Sequence, residues 1–201
     1  MAYSKEQFDQ LANPKGQAGA DILKHLNRVN ANINRVTLET LGEKAGTNVL
    51  EVGFGGGALL TEALTRFPHS KFHGVEISYL AVDQAKRLFS DEITADRMSL
   101  HHFDGNVLPF LDKAFDTVIA VNVIYFVLNL SAFLQEMSRI LNAQGRCILA
   151  YAERSPDSIS RFESKQIEAA LLDVGFKRTK SKSSHDNENG VFHCSVGYMR
   201  D

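Results

Sequence analysis

Four glycines within five positions, Gly53, Gly55, Gly56 and Gly57, separate a short apolar run from a segment of helical periodicity. Val49, Leu50 and Val52 form the run, with Glu51 near its end, and Leu59, Leu60, Ala63, Leu64 and Phe67 share one helical face beyond the glycines. The pattern predicts strand, tight turn and helix. Glycine allows a turn this sharp and lets the backbone approach a ligand to contact distance. Unpaired N–H groups at the start of the following helix point at whatever sits in the turn. The stretch from Asn48 to Leu60 is therefore a ligand platform.

The rest of the chain narrows the setting. Its 201 residues suit one domain, and a formal net charge of -2 gives no general pull towards nucleic acid or anionic lipid. Cys147 and Cys194 lie far apart in apolar, strand-like contexts, as buried thiols of a reducing compartment do, and no metal-ligand spacing occurs. The first residues lack a signal-peptide core, and the most apolar run, Val118 to Leu130, is interrupted by Asn122 and Asn129. The expectation is a cytoplasmic protein with no membrane span and no bound metal.

Two ligands fit the platform. Gly53, Gly55 and Ala58 satisfy the dinucleotide pattern G-x-G-x-x-G/A, with Glu76 at about the right distance to meet a ribose. Glu51-Val-Gly53-Phe-Gly55-Gly-Gly57 equally satisfies acid-x-G-x-G-x-G. Here the chain resembles the class I S-adenosylmethionine (SAM)-dependent methyltransferases, in particular the small ubiquinone/menaquinone type. The stretch Asp104-Gly-Asn-Val-Leu-Pro109-Phe110 is similar to the family's D-x-x-x-L-P-F segment and favours this second ligand. The resemblance implies that Glu51 faces the methionine part of SAM and that Asp104 accepts from the adenine amino group. It also places Gly53, Gly55, Gly57, Ile77, Gly105 and Asn122 at the cofactor. Glu76, an acid at a strand end, would accept both ribose hydroxyls.

Strand and helix patterns alternate along the chain, which gives an α/β fold. With the resemblance, the expectation is a doubly wound, Rossmann-like, seven-stranded, mostly parallel sheet with an antiparallel C-terminal hairpin. One domain covers residues 1–201, with 1–45 as a helical lid or cap and 46–201 as the core. Residues 1–16 read as a short helix or arm ending at Asn13-Pro14-Lys15-Gly16, and Asn30-Ala-Asn32-Ile-Asn34 as a break between two helices. The nearly continuous β-branched run from Phe115 to Phe126 reads as a central strand, with Asn122 at its carboxyl end. Asn142 to Gly145 reads as a turn before a strand from Arg146 to Tyr151, and Ser160 with Glu163 as a capping box. Lysines at 177, 180 and 182 mark an edge strand between Phe176 and Ser183.

Methyl transfer from a sulfonium needs alignment more than it needs protein functional groups, and alignment alone contributes about 7–11 kcal/mol. A base is required only where the acceptor must lose a proton. Tyr125 is the candidate catalytic residue, although a wall of the pocket is the plainer role for it. Tyr151, Glu153, His185, Asp186 and His193 are further candidates. Asn122-Val-Ile-Tyr125 stands where a base-flipping enzyme would carry Asn/Asp-Pro-Pro-aromatic, so no nucleic-acid acceptor is expected. The short segment from Ala152 to Ser160 leaves no large cap, which points to a small-molecule acceptor. The alternatives are a nicotinamide oxidoreductase and a non-catalytic SAM-binding protein.

Overall fold

The apolar run holding Glu51 lies in the middle of a seven-stranded sheet. The computed structural model describes residues 4–42, 47–103, 105, 107–156 and 160–200. Three helices come first, α1 (Lys5–Ala12), α2 (Gly16–Val29) and α3 (Ala31–Leu41). Then follow β1 (Asn48–Val52), α4 (Ala58–Arg66), β2 (Lys71–Glu76), α5 (Tyr79–Leu88), α6 (Ser90–Thr94) and β3 (Met98–His102). The second half consists of β4 (Phe115–Val121), α7 (Leu130–Ile140), β5 (Leu141–Ala152), α8 (Ser164–Asp173), β6 (Arg178–Asp186) and β7 (Gly190–Tyr198). The strand order is β3-β2-β1-β4-β5-β7-β6. All pairs from β3 to β5 are parallel, whereas β7 runs antiparallel to both β5 and β6. The α/β fold with an antiparallel terminal hairpin is as expected, and among the described residues no helix is long and apolar enough to cross a membrane.

Alternation along the central strands explains why they are apolar throughout. Val49, Ile119, Val121, Ile148 and Ala150 point into a core shared with Leu23, Ile33, Leu38, Leu60 and Phe72. Their neighbours Leu50, Val118, Ala120, Cys147 and Leu149 enter a second core with Leu134, Met137, Ile140, Ile167 and Leu171. Helices thus cover both faces, and neither face tolerates a polar residue cheaply. Both cysteines are buried free thiols.

Several boundaries differ from the sequence reading for local reasons. The helix break falls at Asn30, which ends α2 and begins α3. β5 starts at Leu141, earlier than expected, because Leu141 pairs with Phe115 before the register jumps to Arg146 opposite Thr117. The expected turn at 142–145 survives as the excursion between those two pairings, held by Gln144 N–H donating to Asn142 Oδ1 at 2.9 Å. The capping box of α8 is formed by Glu163 with Gln166 and not by Ser160, which instead bonds Ser155. The edge strand β6 carries Lys180 and Lys182, with Lys177 just before it, and continues to Asp186, since hairpin pairing with β7 runs on to Gly190.

Gly197 shows how tightly the terminal hairpin is packed. It pairs with Cys147 on one side and Thr179 on the other, and a Cβ there would lie 2.8 Å from Phe176 and 3.1 Å from Leu171. Gly197→Ala is expected to lower stability by about 1–3 kcal/mol through overpacking. Urea unfolding checks this, and an unchanged midpoint would show that α8 and Phe176 yield without cost.

Candidate functional site

β1 and β4 are adjacent, but the helices after them return the chain in opposite directions, so a crevice opens at their carboxyl ends. A cavity of about 770 Å³ fills it. Its walls come from the loop after β1, the ends of β2, β4 and β5, the first three helices and the turn between β6 and β7.

On the β1–β2 side the backbone is shaped by glycine. Gly53 N–H donates to Val75 O at 2.8 Å, which carries the chain off the sheet edge. Gly55 has φ +52°, and a Cβ built there would meet nothing within 4 Å, so its open side faces free space. Gly56 is required for a different reason: a Cβ there would lie 2.2 Å from Asn27 Oδ1, while its carbonyl accepts from Asn27 Nδ2 at 3.1 Å. Glu76 ties this loop to β2, with Oε2 accepting from Gly55 N–H at 2.9 Å and Oε1 from the N–H groups of Ile77 and Ser78 at 2.7 and 3.0 Å. A carboxylate offers about four acceptor positions, so one remains. Two ribose hydroxyls would need it to release an amide.

Of the residues expected at the cofactor, Glu51, Gly53, Gly55, Glu76, Ile77, Gly105 and Asn122 line this cavity. Gly57 is not among its lining residues. With φ +77° it begins α4, and its N–H donates to Phe54 O at 2.9 Å, so its role is to close the turn. Asp104 lies outside the described residues. Gly56, Asn27, Asn34 and Arg154 also line the cavity, and the sequence reading gave none of them a place at the cofactor. The Asn27–Gly56 and Asn122–Asn30 pairs span 29 and 92 residues, so no local pattern discloses them. Asn34 is 7% exposed, and no bond from its amide is found among the described residues.

Asn122 stands at the centre of the switch point in the left-handed conformation, φ +54°, which asparagine tolerates better than most residues. Its Oδ1 accepts from Ala152 N–H and Tyr125 O–H, both at 3.0 Å, and its Nδ2 donates to Asn30 Oδ1 at 3.0 Å. One side chain thus ties the ends of β4 and β5 to the α2–α3 junction, leaving a single N–H for a ligand. Tyr125 O–H also points at Ala152 O, at 2.7 Å. A phenolate there would face two acceptor oxygens in a buried site, and burial pushes its pKa upwards. This geometry speaks against a base and for a wall that packs edge-on against Phe162. His193 and Glu153, 3.1 Å apart, do not line the cavity. Among the described residues no cluster of His, Cys, Asp and Glu could hold a metal.

Glu51 is 3% exposed, and its Oε2 has no hydrogen-bond partner among the described residues. Burial, and after it the charge of Glu76, pushes its pKa from 4.5 up to about 8. Below about pH 4.5 the group is neutral in both folded and unfolded chains. Between there and about pH 8 the unfolded chain releases the proton while the folded one keeps it, so stability falls by at most about 1.4 kcal/mol per pH unit. Glu51→Gln removes this loss. Its melting temperature should gain on the wild type steadily from pH 5 to pH 8, and a pH-independent difference would show Glu51 ionised in the fold.

Residues 50–149 match the methyltransferase-domain family. The chain is 32% identical over 130 residues to equisetin synthetase eqxS of Fusarium heterosporum, covering 62% of this chain but only 3% of that much longer protein. It is 29% identical over 116 residues to the ubiquinone/menaquinone biosynthesis C-methyltransferase UbiE of Geotalea uraniireducens, covering 57% of this chain and 49% of the relative. A crystal structure of a SAM-dependent methyltransferase from Aquifex aeolicus has the same fold, with a TM-score of 0.68 at 16% identity over 96% of this chain and 98% of that one. The matched sequence and the sheet topology together place this chain in the class I, SAM-dependent methyltransferase family.

Proposed function

We propose that the cavity binds SAM on its β1–β2 side and a small-molecule acceptor beside it, and that the chain transfers the methyl group between them. The carrying observation is the buried, unpartnered oxygen of Glu51 beside the glycine loop. A ligand here gains most by bringing a cation to that oxygen, as the ammonium of SAM would, whereas the pyrophosphate of a dinucleotide would bring further negative charge. Glu51 would then hold the amino-acid end, the loop from Gly53 to Gly56 would lie along the ligand, and the last acceptor position of Glu76 would meet the ribose. Ile77 and Gly105 would bound the adenosine.

Bound SAM supplies a methyl group already activated on a sulfonium, ready for in-line displacement. The protein's own contribution is to align the acceptor and exclude water. α1 forms a roof for this purpose: Leu11 to Pro14 line the cavity, and Phe8 packs on Phe126 with centroids 5.1 Å apart. Ser78 Oγ fixes the hinge by donating to Pro14 O at 2.6 Å. The helices of residues 4–42 would thus act as a cap on the core. The cavity volume falls in the small-molecule range, and the similarity to a quinone-pathway C-methyltransferase supports an acceptor of that size without naming it.

Calorimetric titration tests the reading. SAM and S-adenosylhomocysteine are expected to bind and NADH and NADPH not to, and saturable NADH binding without SAM binding would overturn the proposal. Gly55→Val should abolish SAM binding in a folded protein, because the side chain occupies the open side at a positive φ. Glu76→Gln should weaken it about ten- to a hundredfold, the equivalent of about 1.5–3 kcal/mol. Affinity within twofold of wild type would reject the Glu76 assignment.

A further inference from the structure

Resting on that methyltransferase reading, we propose that the acceptor carries a carboxylate or phosphate monoester on an apolar body, and that Arg154 holds this oxyanion. Arg154 is the one lysine or arginine among the described residues that line the cavity. It is exposed towards solvent and has no hydrogen bond or ion pair with any described residue. Among the described residues, the carboxylates of this hairpin and of the cavity rim have other partners. Arg161 holds Glu153 at 2.7 Å and reaches Glu163 at 3.7 Å, His193 takes the other oxygen of Glu153 at 3.1 Å, and Arg28 pairs with Glu188 of the cavity rim at 3.4 Å.

The backbone beneath Arg154 is fixed. Arg154 itself bridges to Arg161 in antiparallel fashion, Phe162 N–H donates to Glu153 O at 2.7 Å, and Glu153 N–H donates to Val191 O at 2.8 Å. Ser155 N–H donates to Ser160 O at 2.9 Å, and Ser160 N–H donates back to Ser155 Oγ at the same distance. A guanidinium on a lining residue whose backbone is held on both sides, with no ion pair to any described residue, offers a planar fork of donors that matches a carboxylate or a phosphate.

The other walls define the rest of the acceptor. Leu26, Val29, Phe126 and Phe133 line the cavity and can cover an apolar body. Glu51 and Glu76 occupy its β1–β2 side, where no lysine or arginine among the described lining residues draws an anion. An acidic acceptor is thereby oriented with its charged group at Arg154 and its apolar part towards the cofactor. The sheet order separates the two ends, because β1 and β2 lie on one side of the switch point and β5 on the other.

The test uses three matched probes, phenylacetate, benzyl phosphate and the uncharged phenylacetamide, titrated calorimetrically into the full chain with and without S-adenosylhomocysteine. At least one anion should bind saturably and about tenfold or more tighter than the amide. Whichever anion binds tighter separates carboxylate from phosphate recognition. Arg154→Met should abolish the preference, Arg154→Lys should retain part of it, and both should bind S-adenosylhomocysteine as the wild type does. If Arg154→Met does not fold, amide shift mapping of the wild type with the bound anion must show the perturbation at 152–156. Equal binding of all three probes, no saturable anion binding, or an undiminished preference in Arg154→Met would overturn the proposal. Anion preference at Arg154 in a chain that binds no S-adenosylhomocysteine would instead overturn the cofactor reading and leave the anion site standing.

Discussion

Two parallel strands whose crossovers leave in opposite directions cannot cover their own carboxyl ends, and the site of this protein follows from that constraint. The crevice between β1 and β4 exposes backbone groups that must be paired or shielded. Asn122 meets the requirement on the β4 side by bonding Ala152, Tyr125 and Asn30 at once. Glu76 meets it on the β2 side by gathering the N–H groups of Gly55, Ile77 and Ser78. Between these two staples the glycine loop is held open, and the first three helices close over it. The reversal of strand order thus creates the cavity, and two polar side chains keep it from collapsing.

The charges in the cavity are arranged unequally. Two buried acids, Glu51 and Glu76, stand on one side of the switch point, each with a pKa raised chiefly by burial. Arg154, with no ion pair among the described residues, stands on the other, after β5. Glu76 offsets its burial with three amide bonds, whereas one oxygen of Glu51 finds no such partner among the described residues, and an unpaired buried acid is costly to a fold. Such a group is understandable where a ligand completes it. The same asymmetry suits two ligands of opposite local charge held side by side, which is what a transfer between a sulfonium-bearing amino acid and an acidic acceptor requires.

The legible part of the site was the part encoded within a few residues. The apolar run, the four glycines and the acids at 51 and 76 all mark local backbone geometry, and the structure brings Glu51, Gly53, Gly55 and Glu76 to one cavity. Roles that depended on partners far away in sequence could not be read. Gly57 carries the same signal as Gly55, yet it caps α4, where a Cβ would lie 3.1 Å from the Phe89 ring. Tyr125, a catalytic candidate whose plainer sequence reading was a pocket wall, has its hydroxyl engaged by Ala152 O and Asn122 Oδ1, partners its own neighbourhood did not disclose.

By itself, then, the sequence determined the class of the sheet, its covering on both faces and the position of the glycine platform. Periodicity and glycine content act over a few residues, and each has a single backbone reading. Tertiary structure decided which polar groups are spent on the fold and which are left for a ligand. Asn30, taken in sequence as poor helix material, anchors Asn122 across 92 positions, while Arg154, unremarked in sequence, has no ion pair among the described residues and Arg161 holds the carboxylate of Glu153. Hydrogen bonds and ion pairs saturate, so the availability of a side chain depends on every neighbour the fold supplies, and that count exists only once the chain has closed on itself.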